Sequence, residues 1–171
     1  YKLVDDYAQR EVEFLLGIGG IEIRHGQRLG ANLSLGELHA QHDAVFLGLG
    51  LDAVRQLGLA DEDAPGLLAA TTYIRELRQA DDLTQLPLAD RCLVLGAGNT
   101  AIDMAVQMSC LGARDVNLVY RRGVSDMGAT DHEQEIAKHN QVRLHTWARP
   151  DAVLLDDAGR VRGMRFARTQ L

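Results

Sequence analysis

The second half of the chain alternates short apolar runs with longer segments of helical spacing. From residue 91 onward this pattern predicts a strand over 91–95, a helix over 99–111, a strand over 116–120, a helix over 131–139 and a strand over 142–147. Strands that alternate with helices are typical of a parallel sheet with right-handed connections. The pattern therefore predicts an α/β fold with a doubly wound parallel sheet.

The end of the chain departs from that alternation. Two apolar segments, 152–155 and 161–166, flank Asp156-Asp157-Ala158-Gly159, a sequence with the composition of a turn. We therefore expect a β-hairpin to close the unit. The chain also begins without methionine and ends within this predicted strand region, so we expect it to be a segment of a longer protein.

The first half of the chain predicts an amphipathic helix and then short elements. The helix has one apolar face and ends at the glycines of 17–20; that face is formed by Val4, Tyr7, Ala8, Val12 and Leu15. Alternation over 21–24 predicts a short half-buried strand. Ser34 and Glu37 have the spacing of a capping box, which predicts a short helix after Ser34.

The run 43–50 is apolar on both faces and ends in glycines. This composition favours a buried parallel strand that delivers a loop to a ligand, and it fits a core strand with a tight exit turn equally well. A polar stretch over 60–66 follows, and we place a domain boundary there. Pro65 stands where a helix could begin, and apolar positions from Leu67 to Leu77 recur at helical spacing.

Composition narrows the range of functions. The formal net charge of −6 argues against nucleic-acid binding, which needs clustered basic residues. Only Cys92 and Cys110 are present, without a Cys-x-x-Cys pair, so an iron-sulfur cluster held within this chain is not expected. No apolar run approaches the roughly 18 residues of a membrane span. We expect a cytoplasmic protein without a membrane or nucleic-acid partner.

A glycine motif carries the clearest chemistry. Gly96, Gly98 and Ala101 follow a predicted buried strand and precede a predicted helix, which is the setting of the Rossmann dinucleotide fingerprint. Gly96 allows the tight turn, Gly98 lets the backbone approach a diphosphate, and Ala101 lets the helix pack closely on the strand. A glycine-rich turn without a nucleotide is the alternative, but the surrounding strand and helix argue against it.

The start of the predicted helix should attract an anion. Unpaired N–H groups around Asn99 and Thr100 and the positive end of the helix dipole favour a phosphate, and both side chains offer further hydrogen bonds. The sequence thus predicts that the diphosphate is held mainly by backbone.

Arg121 and Arg122 end the second predicted strand. Domains that prefer NAD place an Asp or Glu there, about 20 residues past the glycines, to bind the ribose 2′-hydroxyl. A guanidinium instead binds a 2′-phosphate through paired, charge-assisted hydrogen bonds. An arginine pair after a strand can also be a solvated turn, but its position relative to the glycines favours NADPH over NADH.

Other candidate sites are weak. His39 and His42 have no partner at a metal-ligand spacing, so no metal site is predicted. No residue is a convincing catalytic acid, base or nucleophile, as expected if a flavin accepts the hydride and the cofactors carry the electron chemistry. The loop over 125–130 leaves the carboxyl end of the sheet and could cover a bound nucleotide, although a simple connector explains it as well.

The segments 93–103 and 119–122 resemble the NADPH-binding domain of the glutamate synthase small-subunit family, which consists of FAD-dependent pyridine nucleotide oxidoreductases. Residues 43–50 and 127–135 are similar to that family as well. Residues 46–51 and 160–169 look more like the NADPH-accepting part of dihydropyrimidine dehydrogenases. Family members insert an NADPH domain between pieces of an FAD domain.

The resemblance implies a domain division and a site. Residues 1–60 correspond to a partial flank of the FAD domain and residues 61–171 to the NADP(H)-binding Rossmann domain, with its core at 91–168. Gly48, Leu49 and Gly50 fall where the family's chain passes the flavin. The positions that match the family's NADPH contacts are Gly96, Gly98, Asn99, Thr100, Ala101, Arg121 and Arg122.

The resemblance also implies a role for the longer protein. Electrons would pass from NADPH through FAD to iron-sulfur centres outside this chain and to a partner catalytic subunit or domain. This chain alone would bind nucleotide and turn nothing over. A non-enzymatic NADP(H)-binding sensor would use the same glycine motif and is the alternative function.

Overall fold

The computed structural model describes residues 6–50, 54 and 56–169. The chain divides into two units, residues 1–51 and residues 52–171. Each unit is described by itself below. Among the described residues, no helix is long and apolar enough to cross a membrane.

The described residues of the first unit form two helices. Helix α1 spans Tyr7–Ile18 and ends at Gly19, in agreement with the predicted amphipathic helix and its glycine end; Val4 lies outside the described residues. Helix α2 spans Leu35–Gln41. Its N-cap is Ser34, whose side chain accepts a hydrogen bond from the Glu37 N–H, while the Glu37 carboxylate accepts one from the Ser34 N–H. The predicted capping box is therefore confirmed.

Two strands expected in the first unit are absent from its described residues. Segments 21–24 and 43–50 form neither helix nor strand. Ile21 and Ile23 are half-exposed, and the Phe46 side chain is 94% exposed. The prediction of a half-buried strand and a buried parallel strand was wrong here, because a strand needs hydrogen-bonding neighbours and the described residues of this unit provide none.

The second unit is built on a parallel sheet in which β1 is Arg91–Leu95, β2 is Asp115–Val119 and β3 is Arg143–His145. The strand order is β1-β2-β3. Leu95 is opposite Val119, which is in turn opposite His145, so the carboxyl ends of the strands meet at one edge. This order corresponds to one half of a doubly wound sheet.

Three helices accompany this sheet: α3 is Ala70–Gln79, α4 is Asn99–Leu111 and α5 is Asp131–His139. Helices α4 and α5 have the predicted bounds. Helix α3 begins at Ala70 and not near Pro65, because residues 60–66 form turns whose backbone hydrogen bonds end at Leu67. The largest fully buried side chains lie on α3, α4 and β2: Tyr73, Ile102, Val106 and Leu118.

The end of the described chain forms the predicted hairpin. Strand β4, Ala148–Leu155, pairs antiparallel with β5, Val161–Arg168, in a separate two-stranded sheet. The turn between them is held by the Asp156 carboxylate, which accepts hydrogen bonds from the Ala158 and Arg160 N–H groups. A turn of this kind is what the Asp-Asp-Ala-Gly sequence predicts.

Candidate functional site: a dinucleotide turn

The turn between β1 and α4 has a backbone that requires glycine at its first position. Gly96 has φ +133°, a conformation that residues with a side chain rarely adopt. A Cβ added at Gly96 would also lie 3.2 Å from the Ala101 Cβ. Gly96 and Ala101 are thus matched, and together they let α4 begin directly over the end of β1. The Gly96 N–H donates to the Val119 carbonyl, which fixes the turn to β2.

Gly98 is a glycine for a different reason. Its φ of −91° suits any residue, and a Cβ there would meet no protein atom within 4 Å. Internal packing therefore does not explain this glycine. The open space in front of Gly98 is where a diphosphate would approach the backbone, so the turn fits the nucleotide that the sequence predicts.

The start of α4 presents free backbone donors. The Ala101 and Ile102 N–H groups donate to the Gly98 carbonyl, so the N–H groups of Asn99 and Thr100 lie ahead of the helical ladder. Within the part of the chain that the structure describes, no side chain caps this helix end. Thirteen residues of aligned peptide dipoles stand behind these donors, which favours an anion at this position.

The loop over residues 123–130, hereafter loop 123–130, is fastened to the glycine turn. The Ala129 N–H donates to the Ala97 carbonyl at 2.9 Å, and the Thr130 N–H donates to the Asn99 Oδ1 at 3.2 Å. The Asn99 amide oxygen is thereby used within the protein, which leaves its NH₂ group as the donor available to a ligand. The sequence left open whether this loop covers a nucleotide or is a simple connector, and it did not identify Thr130, because a backbone N–H has no residue-specific signal.

Arg121 and Arg122 follow β2 at the same edge of the sheet as the glycine turn. Both side chains are exposed, and among the described residues neither guanidinium forms an ion pair. Their backbone is fixed, since the Arg122 carbonyl accepts from the Trp147 N–H at 3.1 Å and the Arg121 carbonyl accepts from the Thr169 hydroxyl. The guanidinium groups of Arg121 and Arg122 are thus solvated, while hydrogen bonds hold their backbone in place at this edge of the sheet.

Three predicted site residues lie in the first unit. Gly48, Leu49 and Gly50 belong to an irregular, exposed segment, with Leu49 69% exposed and Gly50 at φ +68°. The described residues of this unit do not enclose a cradle that a flavin would fill. The role of these three residues at a flavin stays a prediction for the longer protein.

Sequence reasoning missed a groove between α3 and α4. Its volume is about 340 Å³, and its lining includes Thr71, Thr100 and Asp103. Asp103 is buried on α4 and pairs with Arg78 of α3 at 3.6 Å. A charged residue on an apolar helix was the signal that could have revealed it, since a buried carboxylate needs a partner.

Comparison with known proteins identifies the family. The family model for pyridine nucleotide-disulphide oxidoreductases matches residues 2–164. The chain belongs to this family. Relatives include the NADP(+)-dependent formate dehydrogenase subunit beta of Moorella thermoacetica, at 31% identity over all of this chain and 24% of that protein. The glutamate synthase [NADPH] small chain of Escherichia coli strain K12 is 29% identical over all of this chain and 38% of its own length.

A third relative is the NADPH-Fe(3+) oxidoreductase subunit beta of Geobacter sulfurreducens strain PCA, 32% identical over 95% of this chain and 24% of its own. The chain thus spans between 24% and 38% of these three relatives. These comparisons confirm the resemblance to the glutamate synthase small-subunit family.

Solved structures confirm the fold. FprA from Mycobacterium tuberculosis, as its His57Gln mutant, superposes with a TM-score of 0.62 at 17% identity, covering 80% of this chain and 45% of that chain. FprA in complex with NADPH gives a TM-score of 0.56 at 18% identity, covering 81% and 51%. At this level of identity the likeness establishes the Rossmann-like α/β fold and not the chemistry.

Proposed function

We propose that this chain is the NADP(H)-binding portion of a flavin-dependent oxidoreductase. The observation that carries the proposal is the turn at Gly98, where protein packing leaves open space in front of free helix N–H groups. A diphosphate would accept hydrogen bonds from the Asn99 and Thr100 N–H groups and from the Asn99 NH₂. The nucleotide would supply a hydride; the chain's residues would bind and orient it.

The proposed preference for NADP(H) over NAD(H) rests on Arg121 and Arg122. The adenosine end of a dinucleotide lies past the second strand of a Rossmann unit, and this is where the pair stands. Both guanidinium groups are exposed and unengaged among the described residues, so they can reach a 2′-phosphate without breaking an existing ion pair.

The longer protein would pass electrons from NADPH through FAD to iron-sulfur centres and a partner subunit. Two named relatives, the formate dehydrogenase and Fe(3+) oxidoreductase proteins, are subunits whose names include NADP or NADPH. Gly48, Leu49 and Gly50 would lie near the flavin, and residues 1–60 would form part of the FAD domain. We expect this chain alone to bind nucleotide without turnover, in the cytoplasm. The narrower likeness to dihydropyrimidine dehydrogenases stays a prediction.

Titration calorimetry of the 171-residue chain with NADP⁺, NAD⁺ and FAD tests the proposal. We expect NADP⁺ to bind more tightly than NAD⁺. The double variant Arg121→Ala/Arg122→Ala should lose about 1.5–3 kcal/mol of NADP⁺ affinity per charge-assisted contact removed, and its NAD⁺ affinity should change little.

A matched control is Arg160→Ala, which removes an exposed arginine that pairs with Asp156 in the hairpin turn. This variant should bind NADP⁺ like the unsubstituted chain. If the double variant binds NADP⁺ as tightly as the unsubstituted chain does, the assignment of Arg121 and Arg122 to the 2′-phosphate is overturned. Failure of both nicotinamide nucleotides to bind at millimolar concentration would contradict the nucleotide site itself.

A further inference from the structure

Trp147 occupies an unusual position beside the proposed nucleotide site. It lies two residues past the end of β3 and is the single tryptophan of the chain. Its φ of +59° is in the left-handed region, which a bulky residue adopts only when its surroundings hold it there. The side chain is half-buried. A strained, partly accessible aromatic residue needs an explanation.

The backbone of Trp147 is bound to the segment that carries the arginine pair. Its N–H donates to the Arg122 carbonyl at 3.1 Å, and its carbonyl accepts from the Thr169 N–H at 2.9 Å. The next residue, Ala148, donates to the Tyr120 carbonyl at 3.1 Å. The chain just past the ends of β2 and β3 is thereby held side by side, and the backbone of Trp147 is held with it.

Gly123 packs directly against the indole ring of Trp147. Its φ of −79° is ordinary for any residue, so backbone conformation does not require glycine there. A Cβ at Gly123 would lie 2.7 Å from the Trp147 Cζ2 and 3.3 Å from its Cε2. The glycine is therefore required by contact with the indole ring. The indole thus packs against the residue that directly follows Arg122.

We propose that Trp147 forms one wall of the adenine subsite, seated on Gly123 and next to Arg121 and Arg122. This inference rests on the proposed NADP(H) function and deepens it. The adenosine ribose of a dinucleotide lies past the end of the second strand in a Rossmann unit, and here the end of β3 is its neighbour at that edge. An aromatic ring there would stack on the base or close the pocket against its edge, while the arginines bind the neighbouring 2′-phosphate.

The fluorescence of this one tryptophan is a direct test. Adenosine 2′,5′-bisphosphate, which contains the base and the 2′-phosphate but no nicotinamide, should change the emission saturably, with the dissociation constant that calorimetry gives. Inorganic pyrophosphate, which lacks a base, should leave the emission unchanged. Trp147→Leu should weaken adenosine 2′,5′-bisphosphate binding about tenfold. The control variant Phe14→Leu, an exposed aromatic in the first unit, should bind it normally.

Binding of the bisphosphate without any change in emission would overturn the inference, as would a folded Trp147→Leu variant of unchanged affinity. The emission measurement uses the unsubstituted chain, so it decides the question even where Trp147→Leu does not fold. Failure of NADP⁺ to bind in calorimetry is a separate result, since it contradicts the proposed function and removes this inference with it.

Discussion

The two units of the chain use their apolar residues differently. In residues 52–171 the side chains of α3, α4 and the parallel sheet form one core, in which Ile102 is 1% exposed. In residues 6–50 large apolar side chains stay accessible, and Phe14 of α1 is 71% exposed. The described residues of the first unit are held by local hydrogen bonds such as the Ser34–Glu37 cap, whereas the second unit is held by contacts between distant segments.

The same difference applies to how firmly each unit holds its turns in place. The Gly96 turn is fixed by β2 through the Val119 carbonyl and by loop 123–130 through Ala129 and Thr130. Each of these partners lies more than 20 residues away along the chain, so the turn depends on the whole core of the second unit. The irregular segment 43–50 has no comparable support among the described residues.

The largest expected effect is on the free energy of unfolding, and it differs between the two units. Ile102→Ala should lower the free energy of unfolding by about 2–5 kcal/mol, because it leaves a cavity in the core of the second unit. Phe14→Ala should change it by less than about 0.5 kcal/mol, because the ring is already solvated. Urea unfolding followed by far-UV circular dichroism measures both. A comparable loss for Phe14→Ala would mean that the first unit has a core of its own.

A second pair of variants separates folding from binding within the glycine turn. Gly96→Ala should cost about 1–3 kcal/mol of stability, since φ +133° strains any side chain and its Cβ would press on Ala101. Gly98→Ala should unfold at nearly the same urea concentration as the unsubstituted chain, because its Cβ meets no protein atom.

The same pair is then compared in nucleotide binding. Gly98→Ala should bind NADP⁺ about tenfold more weakly, since a methyl group would occupy the approach of the diphosphate. Unchanged NADP⁺ affinity in a stable Gly98→Ala variant would show that the space at Gly98 is not used by the nucleotide.

The smallest expected effect is a loss of stability of helix α2, in the first unit, at low pH. Hydrogen bonds from Ser34 to the Glu37 carboxylate hold the Glu37 pKa below its ordinary value of 4.5. A lowered pKa in the folded state gives a stability contribution that is present above pH 4.5 and is lost as the pH falls through the folded value. Helix α2 should therefore fray on acidification. An NMR titration of the Glu37 side chain would show this shift, and Ser34→Ala should reduce it by removing the hydroxyl donor while the Ser34 N–H remains.

The sequence predicted the second unit far better than the first, for a physical reason. The bounds of β1, α4 and α5 agree with the pattern because apolar strands, free helix ends and caps leave strong local signals, although only Val94 of β1 is buried. The capped helix α2 was predictable for the same reason. Segments 21–24 and 43–50 carry strand patterns, yet a strand exists only when a neighbouring strand binds it, and no pattern within eight residues specifies that neighbour.

The residues of the candidate site also differ in how well the sequence predicts them. Gly96 and Ala101 could be assigned from spacing, since both answer a steric demand of the turn, and the same spacing pointed to Gly98. The match between Gly123 and Trp147 could not, because the two residues are 24 positions apart and their contact exists only once β2 and β3 are paired. The contact of Thr130 could not be predicted either, because its backbone N–H, which any residue could supply, donates to the Asn99 side chain.

The most direct test of the central claim is an NMR titration of the ¹⁵N-labelled chain with NADP⁺, following backbone amide shifts. The diphosphate should bind the unpaired donors at the start of α4, so the largest shift changes should occur at the amides of Gly98, Asn99 and Thr100. Smaller changes should follow at Arg121 and Arg122. Saturable binding that leaves the Asn99 and Thr100 amides unmoved would contradict the assignment of this turn as the dinucleotide site.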